Sequence, residues 1–179
     1  MSALERAPKS DALFSLCRWN VSEAFRLTGR EDFRIVIRET AAYVLGRLHA
    51  PEGGFFAAED ADSEGGEGRF QVWRREEIAK LLGGDAELAC RAFGVTEEGN
   101  WSDPHHDTAG LNVLHRPVSL PELAKEFGLA EGEVQQRLET ARAALRRVRG
   151  GRPRPFRDEK IITSWNALMI SGLAYAGRT

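Results

Sequence analysis

No stretch of this 179-residue chain approaches the roughly 18 consecutive apolar residues of a membrane-spanning helix. The opening residues Met1-Ser2-Ala3-Leu4-Glu5-Arg6 lack the apolar core of a secretory signal, so the sequence predicts a cytoplasmic protein with no membrane partner. Cysteine is scarce as well. Cys17 and Cys90 stand far apart with no C-x-x-C spacing, which predicts two reduced, buried thiols acting as small apolar residues. Charge of one sign is also missing: 25 basic against 27 acidic residues leave a formal charge of -2, with no general pull toward nucleic acid. What remains is ordinary globular material, 42% apolar and 29% charged, of a length that can bury a core.

The pattern of that material is helical. Residues 1–10 are polar and predict a frayed terminus. Leu13, Leu16, Cys17, Ala24 and Phe25 fit a helix from Asp11 to about Leu27, stopped at Thr28-Gly29. Phe33, Val36, Ile37, Thr40, Ala41, Val44, Leu45 and Leu48 form an unbroken helical stripe ended by Pro51 and Gly53-Gly54. Two helices so joined predict an antiparallel hairpin over 11–50. Residues 53–68 then hold five glycines and five acids, the composition of a loop. Phe70, Gln71, Val72 and Trp73 read as a short strand, with Phe55-Phe56 as partner in a small β-ribbon. Helices follow over Arg75–Leu82 and Ala86–Phe93, and an irregular segment over 97–118. Ser119 with Glu122 reads as a capping box before Leu120–Phe127. Val134, Leu138, Ala141, Leu145 and Val148 predict an amphipathic helix, and Pro153 with Pro155 an extended linker. The last helix, from Ser164 to Gly177 with Thr163 as its cap, aligns Trp165, Leu168, Met169, Gly172, Leu173 and Ala176. That face predicts a poorly covered surface, self-association through it, and an architecture continuing past Thr179.

Four constellations could carry chemistry. Asp60, Asp62, Glu64 and Gly65 match the first half of a calcium loop, but Gln71 stands where the closing glutamate belongs, so no metal is expected. The same acids read as paired carboxylates at a cleft, acting as general acid and base on a sugar carbon, or as a solvated turn capping backbone amides. Arg157-Asp158-Glu159-Lys160 precedes the final helix, where Trp165 and Asn166 lie near Asp158; acids there also suit a helix N-terminus. His105-His106-Asp107 lacks the further ligands of a zinc site and reads as a polar loop, with Asn100-Trp101 and Asn112-Val113-Leu114 as anchors. Arg142, Arg146, Arg147, Arg149, Arg152, Arg154 and Arg157 form a basic run without aromatic interleaving before Phe156, which favours a solvated or salt-bridged face over a nucleic-acid surface.

Several segments resemble, in order and spacing, the spermatogenesis-associated protein 20 family. They are Pro51-Glu-Gly-Gly-Phe-Phe-Ala-Ala-Glu-Asp-Ala-Asp-Ser63, Glu67-Gly-Arg-Phe-Gln-Val-Trp73 with Glu76-Glu77-Ile78, Gly99-Asn-Trp101, Asn112-Val-Leu114 and Arg154-Pro-Phe-Arg-Asp-Glu-Lys-Ile-Ile-Thr-Ser-Trp-Asn-Ala-Leu-Met169. The resemblance spans about residues 12–178. It implies a mainly α chain forming part of an (α/α) toroid like six-hairpin glycosidases and N-acylglucosamine 2-epimerases. The family's thioredoxin-like domain has no counterpart here. On that reading the toroid segment occupies 11–179, with a hairpin (11–50), an acidic Gly-rich loop (53–69), an insertion (70–150) and the start of the next hairpin (156–179). The resemblance further implies a carbohydrate ligand. Glu59, Asp60, Asp62 and Asp158 would then be the catalytic candidates lining a central cavity, and Trp165, Asn166 and Trp101 the substrate-binding ones, with no cofactor. The chain by itself is expected to be inactive. A non-catalytic scaffold, its acidic loop merely organising hairpin ends, is the rival reading.

Overall fold

The computed structural model describes residues 11–63, 66–103 and 107–178, with backbone alone for 11–19 and Glu67. Helices run in the order α1 (Asp11–Thr28), α2 (Glu31–Tyr43), α3 (Arg75–Leu82), α4 (Ala86–Ala92), α5 (Leu120–Phe127), α6 (Glu131–Gly150) and α7 (Thr163–Ala176). Among the described residues six two-residue strands accompany them: β1 (Ala58–Glu59), β2 (Asp62–Ser63), β3 (Gly66–Glu67), β4 (Trp73–Arg74), β5 (Leu111–Asn112) and β6 (Arg157–Asp158). The chain divides into two compact units, one of residues 1–60 with 156–179 and the other of residues 61–155.

In the first unit, Glu31 and Asp32 set negative charge at the start of α2, where the helix dipole favours it. The helix does not run on as the apolar stripe predicts. From Val44 to Leu48 it widens into a π-helical turn, closed by the His49 amide donating to the Val44 carbonyl (3.2 Å). Val44, Leu48, Phe55 and Met169 form the buried cluster of this unit, with Tyr43 and Leu173 packed on it. α7 packs against α1 and α2. Its apolar face is therefore better covered than the sequence suggests: Met169 and Gly172 are buried, although Leu168 and Ile170 stay exposed. Its cap position is Ile162, and Thr163 is already helical.

The second unit has a larger core, including Trp73, Ile78, Leu88, Phe93, Leu123 and Leu138. The helical stripe of α6 is buried at Val134, Leu138, Ala141 and Leu145, while Val148 is exposed. The capping box before α5 forms as the sequence predicts, the Ser119 amide donating to the Glu122 carboxylate at 3.0 Å. A second box, unheralded because arginine stands at the cap, has the Arg74 amide donating to Glu77 at 2.8 Å. β2 and β3 make a tight antiparallel pair, Asp62 opposite Glu67 and Ser63 opposite Gly66.

The expected ribbon is rearranged. Trp73 pairs with Asn112 and Arg74 with Leu111, antiparallel, while Phe55 bridges His49 instead. The reason lies in Asn112. Its fully buried amide donates to the carbonyls of Trp73, Thr96 and Gly110 and accepts from the Thr96 amide at 2.9 Å, which fixes β5 beside β4. Asn100 works similarly, donating to Gly94 and Val113 carbonyls and accepting from the Val113 amide. Both asparagines thus anchor the irregular segment.

Candidate functional site

Extended backbone after the α1–α2 hairpin and before α7 brings two distant segments together. β1 pairs antiparallel with β6, Ala58 opposite Asp158 and Glu59 opposite Arg157. The ladder is extended at both ends by the Ala57 amide donating to Asp158 (3.0 Å) and the Asp60 amide donating to Phe156 (2.7 Å). Side chains opposite each other on such a ladder share a face, and successive ones alternate. Glu59 and Arg157 therefore occupy one face, and Ala58 and Asp158 the other.

On the first face, Glu59 is the centre of a half-buried polar knot. Tyr43 and Arg47, one helical turn apart, both reach it. The Tyr43 hydroxyl donates to one carboxylate oxygen at 2.6 Å; Arg47 donates to the other from Nε at 3.0 Å and also from its terminal nitrogen. The Glu59 side chain is only 14% exposed, so the ion pair is shielded from much of the solvent screening that weakens surface pairs. Arg157 lies 4.3 Å from the centre of the Phe56 ring, donates to the Arg47 carbonyl at 2.9 Å and holds Glu159 at 2.6 Å. Arg47, Phe156, Arg157 and Glu159 line a cleft of about 550 Å³. Phe156 is 74% exposed, an unusual position for a large apolar ring.

Asp158, on the opposite face, belongs to a different group. Its carboxylate accepts from the Lys160 amide (3.2 Å) and pairs with the Lys160 ammonium (3.0 Å). The hydrogen bond from the Lys160 side chain holds its carboxyl below the usual carboxylate range. Asp60 is exposed just beyond β1, and Asp62 lies on β2 in the second unit. Glu59, Asp60 and Asp158 are thus gathered at one ladder, but Glu59 and Asp158 face away from each other. Glu64, Gly65, His105 and His106 lie outside the described residues. Asp107 accepts from the Ala109 amide within a turn. No group of three His, Cys, Asp or Glu side chains suited to a metal occurs among the described residues.

The remaining candidates serve the backbone. Asn166 accepts from the Phe55 amide at 2.7 Å and donates to the Phe55 and Ile162 carbonyls, so its amide is committed. Gly54 makes room for it, with φ of +86° and space such that a Cβ would approach the Asn166 oxygen to 3.2 Å. Trp165 is half-buried in the first turn of α7. Trp101 lies in the second unit against Gly68, whose Cβ would come within 3.5 Å of its ring. The residues missed by sequence reasoning are Tyr43, Arg47 and Phe156. Only Phe156 left a sign, as a lone aromatic between prolines and arginines. Tyr43 and Arg47 lie within a helical apolar stripe and carry no local signal that separates them from its other positions.

No protein-family model matches the chain. It is similar to spermatogenesis-associated protein 20 of Homo sapiens, 37% identical across 87% of this chain and 22% of that protein. The Mus musculus protein of the same name is 34% identical over the same shares, and an uncharacterized protein of Caenorhabditis elegans is 34% identical across 87% of this chain and 24% of its own length. The chain therefore spans about a fifth to a quarter of the relatives it matches.

Proposed function

This chain belongs to the spermatogenesis-associated protein 20 family, and on that premise we propose that it supplies a sugar-class binding cleft to a longer protein built on an (α/α) toroid. The observation that carries the reading is the cleft on the β1–β6 ladder, with exposed Phe156 beside Arg47, Arg157 and Glu159. An aromatic face offers a platform for the apolar side of a pyranose, and fixed guanidinium and carboxylate groups match vicinal hydroxyls. In this reading Phe156 takes the stacking part that the sequence suggested for Trp165, and Glu59 positions Arg47 at the cleft. Asp60 and Asp62 remain candidates only for a ligand reaching beyond it.

Two helices support the toroid. On α2 and the π-helical turn that continues it, the buried rib of Ile37 and Val44 is flanked by exposed Val36 and Leu45; on α7 buried Met169 is flanked by exposed Leu168 and Ile170. At about 100° per residue, those flanks lie on either side of the rib. Helices with apolar flanks on both sides suit a ring in which each hairpin takes two neighbours.

Saturation-transfer NMR with mono- and oligosaccharides tests the cleft. Transfer to sugar protons should be seen with the intact parent protein and lost in Phe156→Ala. Absence of any sugar signal, or a signal indifferent to Phe156→Ala, would sink the reading. The scaffold alternative rests on a specific observation too: Glu59, Asp158 and Asn166 are each occupied by Arg47, Lys160 and the Phe55 backbone. It predicts an intact fold and no ligand.

A further inference from the structure

Between Glu139 and Asp158 the sequence holds seven arginines and no acid, in a chain whose overall charge is slightly negative. The structure gathers part of that run around one aromatic segment of the second unit. Arg149 and Arg154 place their guanidinium carbons 5.8 and 5.7 Å from the centre of the Phe70 ring, and Arg152 lies 4.0 Å from that of Trp73. Arg149 and Arg154 thus share one ring, and the charge of Arg154 is felt at Arg149. Arg152 is held by the Phe70 and Val72 carbonyls, with Glu77 3.6 Å away. Arg149 has a neutral partner, Gln71, at 2.9 Å. Among the described residues neither Arg149 nor Arg154 has a carboxylate within ion-pair distance. Burial, with the charges of Arg146, Arg152 and Arg154 adding to it, lowers the Arg149 pKa from its ordinary value.

Cations are gathered against mutual repulsion, and among the described residues Arg149 and Arg154 lack the carboxylates that ordinarily balance such charges. We propose that Arg149 and Arg154, braced on Phe70, form a binding site for an oxyanion, the phosphate or sulfate group of a small ligand. Guanidinium forks offer paired N–H donors to two oxygens of such a group, and stacking on the ring limits the freedom each side chain loses on binding. Arg152 is already committed to backbone carbonyls and holds the aromatic segment in place. The site is independent of the cleft on the β1–β6 ladder.

Inorganic phosphate and sulfate are the probes, titrated into the full chain at constant ionic strength with chloride as the balancing anion. The Nε–Hε resonances of Arg149 and Arg154 should shift saturably. The binding midpoint should weaken by about tenfold or more in Arg154→Ala, one pair of charge-assisted hydrogen bonds being removed. Arg26→Ala, which removes the same charge from α1 in the other unit, should leave it unchanged. Arg154 is exposed, so its substitution keeps the fold, as circular dichroism will verify; Arg149→Met is the second variant. Shifts that follow ionic strength alone, or equal losses in Arg154→Ala and Arg26→Ala, overturn the proposal. So does a response confined to a short single-stranded oligonucleotide, which would mark a polyanion surface instead.

Discussion

Of the ten large apolar side chains exposed among the described residues, eight belong to the unit of residues 1–60 and 156–179: Leu27, Ile35, Val36, Leu45, Phe156, Ile161, Leu168 and Ile170. The unit of residues 61–155 contributes only Val113 and Val148. Both have amphipathic helices, so composition does not explain the difference. In 61–155, α3 to α6 turn their apolar ribs onto one shared core. In the other unit the buried cluster is small, and the apolar arcs of α2 and α7 are wider than the rib each buries. A helix whose apolar arc exceeds its buried rib has further surface to offer a neighbour. Among the described residues, the first unit thus leaves apolar helix surface exposed, and the second buries most of its own.

The largest test of that contrast is Trp73→Ala. Trp73 is 2% exposed at the heart of the 61–155 core, and its truncation should cost about 3–5 kcal/mol. Hydrogen exchange of amides in α3 and α4 would report it; protection retained there would show that the core does not depend on this ring. Asn112→Ala should be next, at about 1–3 kcal/mol, because it strands the Thr96 amide and three carbonyls in a buried place. Chemical denaturation measures it, and a neutral outcome would mean that water replaces the amide.

A smaller stability effect, with a different readout, is expected on the other side of the comparison. Leu168→Ser with Ile170→Ser should change stability by no more than about 0.5 kcal/mol, since both side chains are exposed. Sedimentation velocity should nevertheless show less self-association than the parent chain. Unchanged sedimentation would remove those flanks from any interface. The least effect belongs to the cap of α5. Hydrogen bonds from the Ser119 side chain and backbone hold the Glu122 carboxyl below its ordinary value. Its contribution is complete above the ordinary carboxylate range and disappears as pH falls through the lowered value. An NMR titration should find Glu122 titrating below the ordinary glutamate value, and Glu122→Gln should abolish that low-pH dependence.

The regular helices were legible because their signals are local. The rib of α6 repeats at steps of four and three, and the α5 cap is written within four residues. Strand pairing was not, because two-residue strands carry no period and their partners are remote: Ala58 meets Asp158 across the whole second unit. The π-helical turn was masked by a continuous apolar stripe that an ordinary helix would satisfy equally well. The arginine run reads in sequence as a solvated or salt-bridged face, because no aromatic interleaves with it before Phe156. Phe70 and Trp73 come to it from the other end of the unit. At the candidate site, the sequence singles out the loop that carries β1 and Glu59. The alternation that separates Glu59 from Asp158 depends on a register that only pairing fixes.

The single hydrogen bond from the Asp60 amide to the Phe156 carbonyl has a kinetic meaning. Residues 61–155 leave the first unit and return to it at one point. Closing that span as a flexible loop would cost about 4 kcal/mol of chain entropy. Once 61–155 has collapsed on its own core, the effective loop is far shorter and most of that cost is already met. The order of assembly expected from this has the inserted segment folding early and the ladder that carries the cleft forming last.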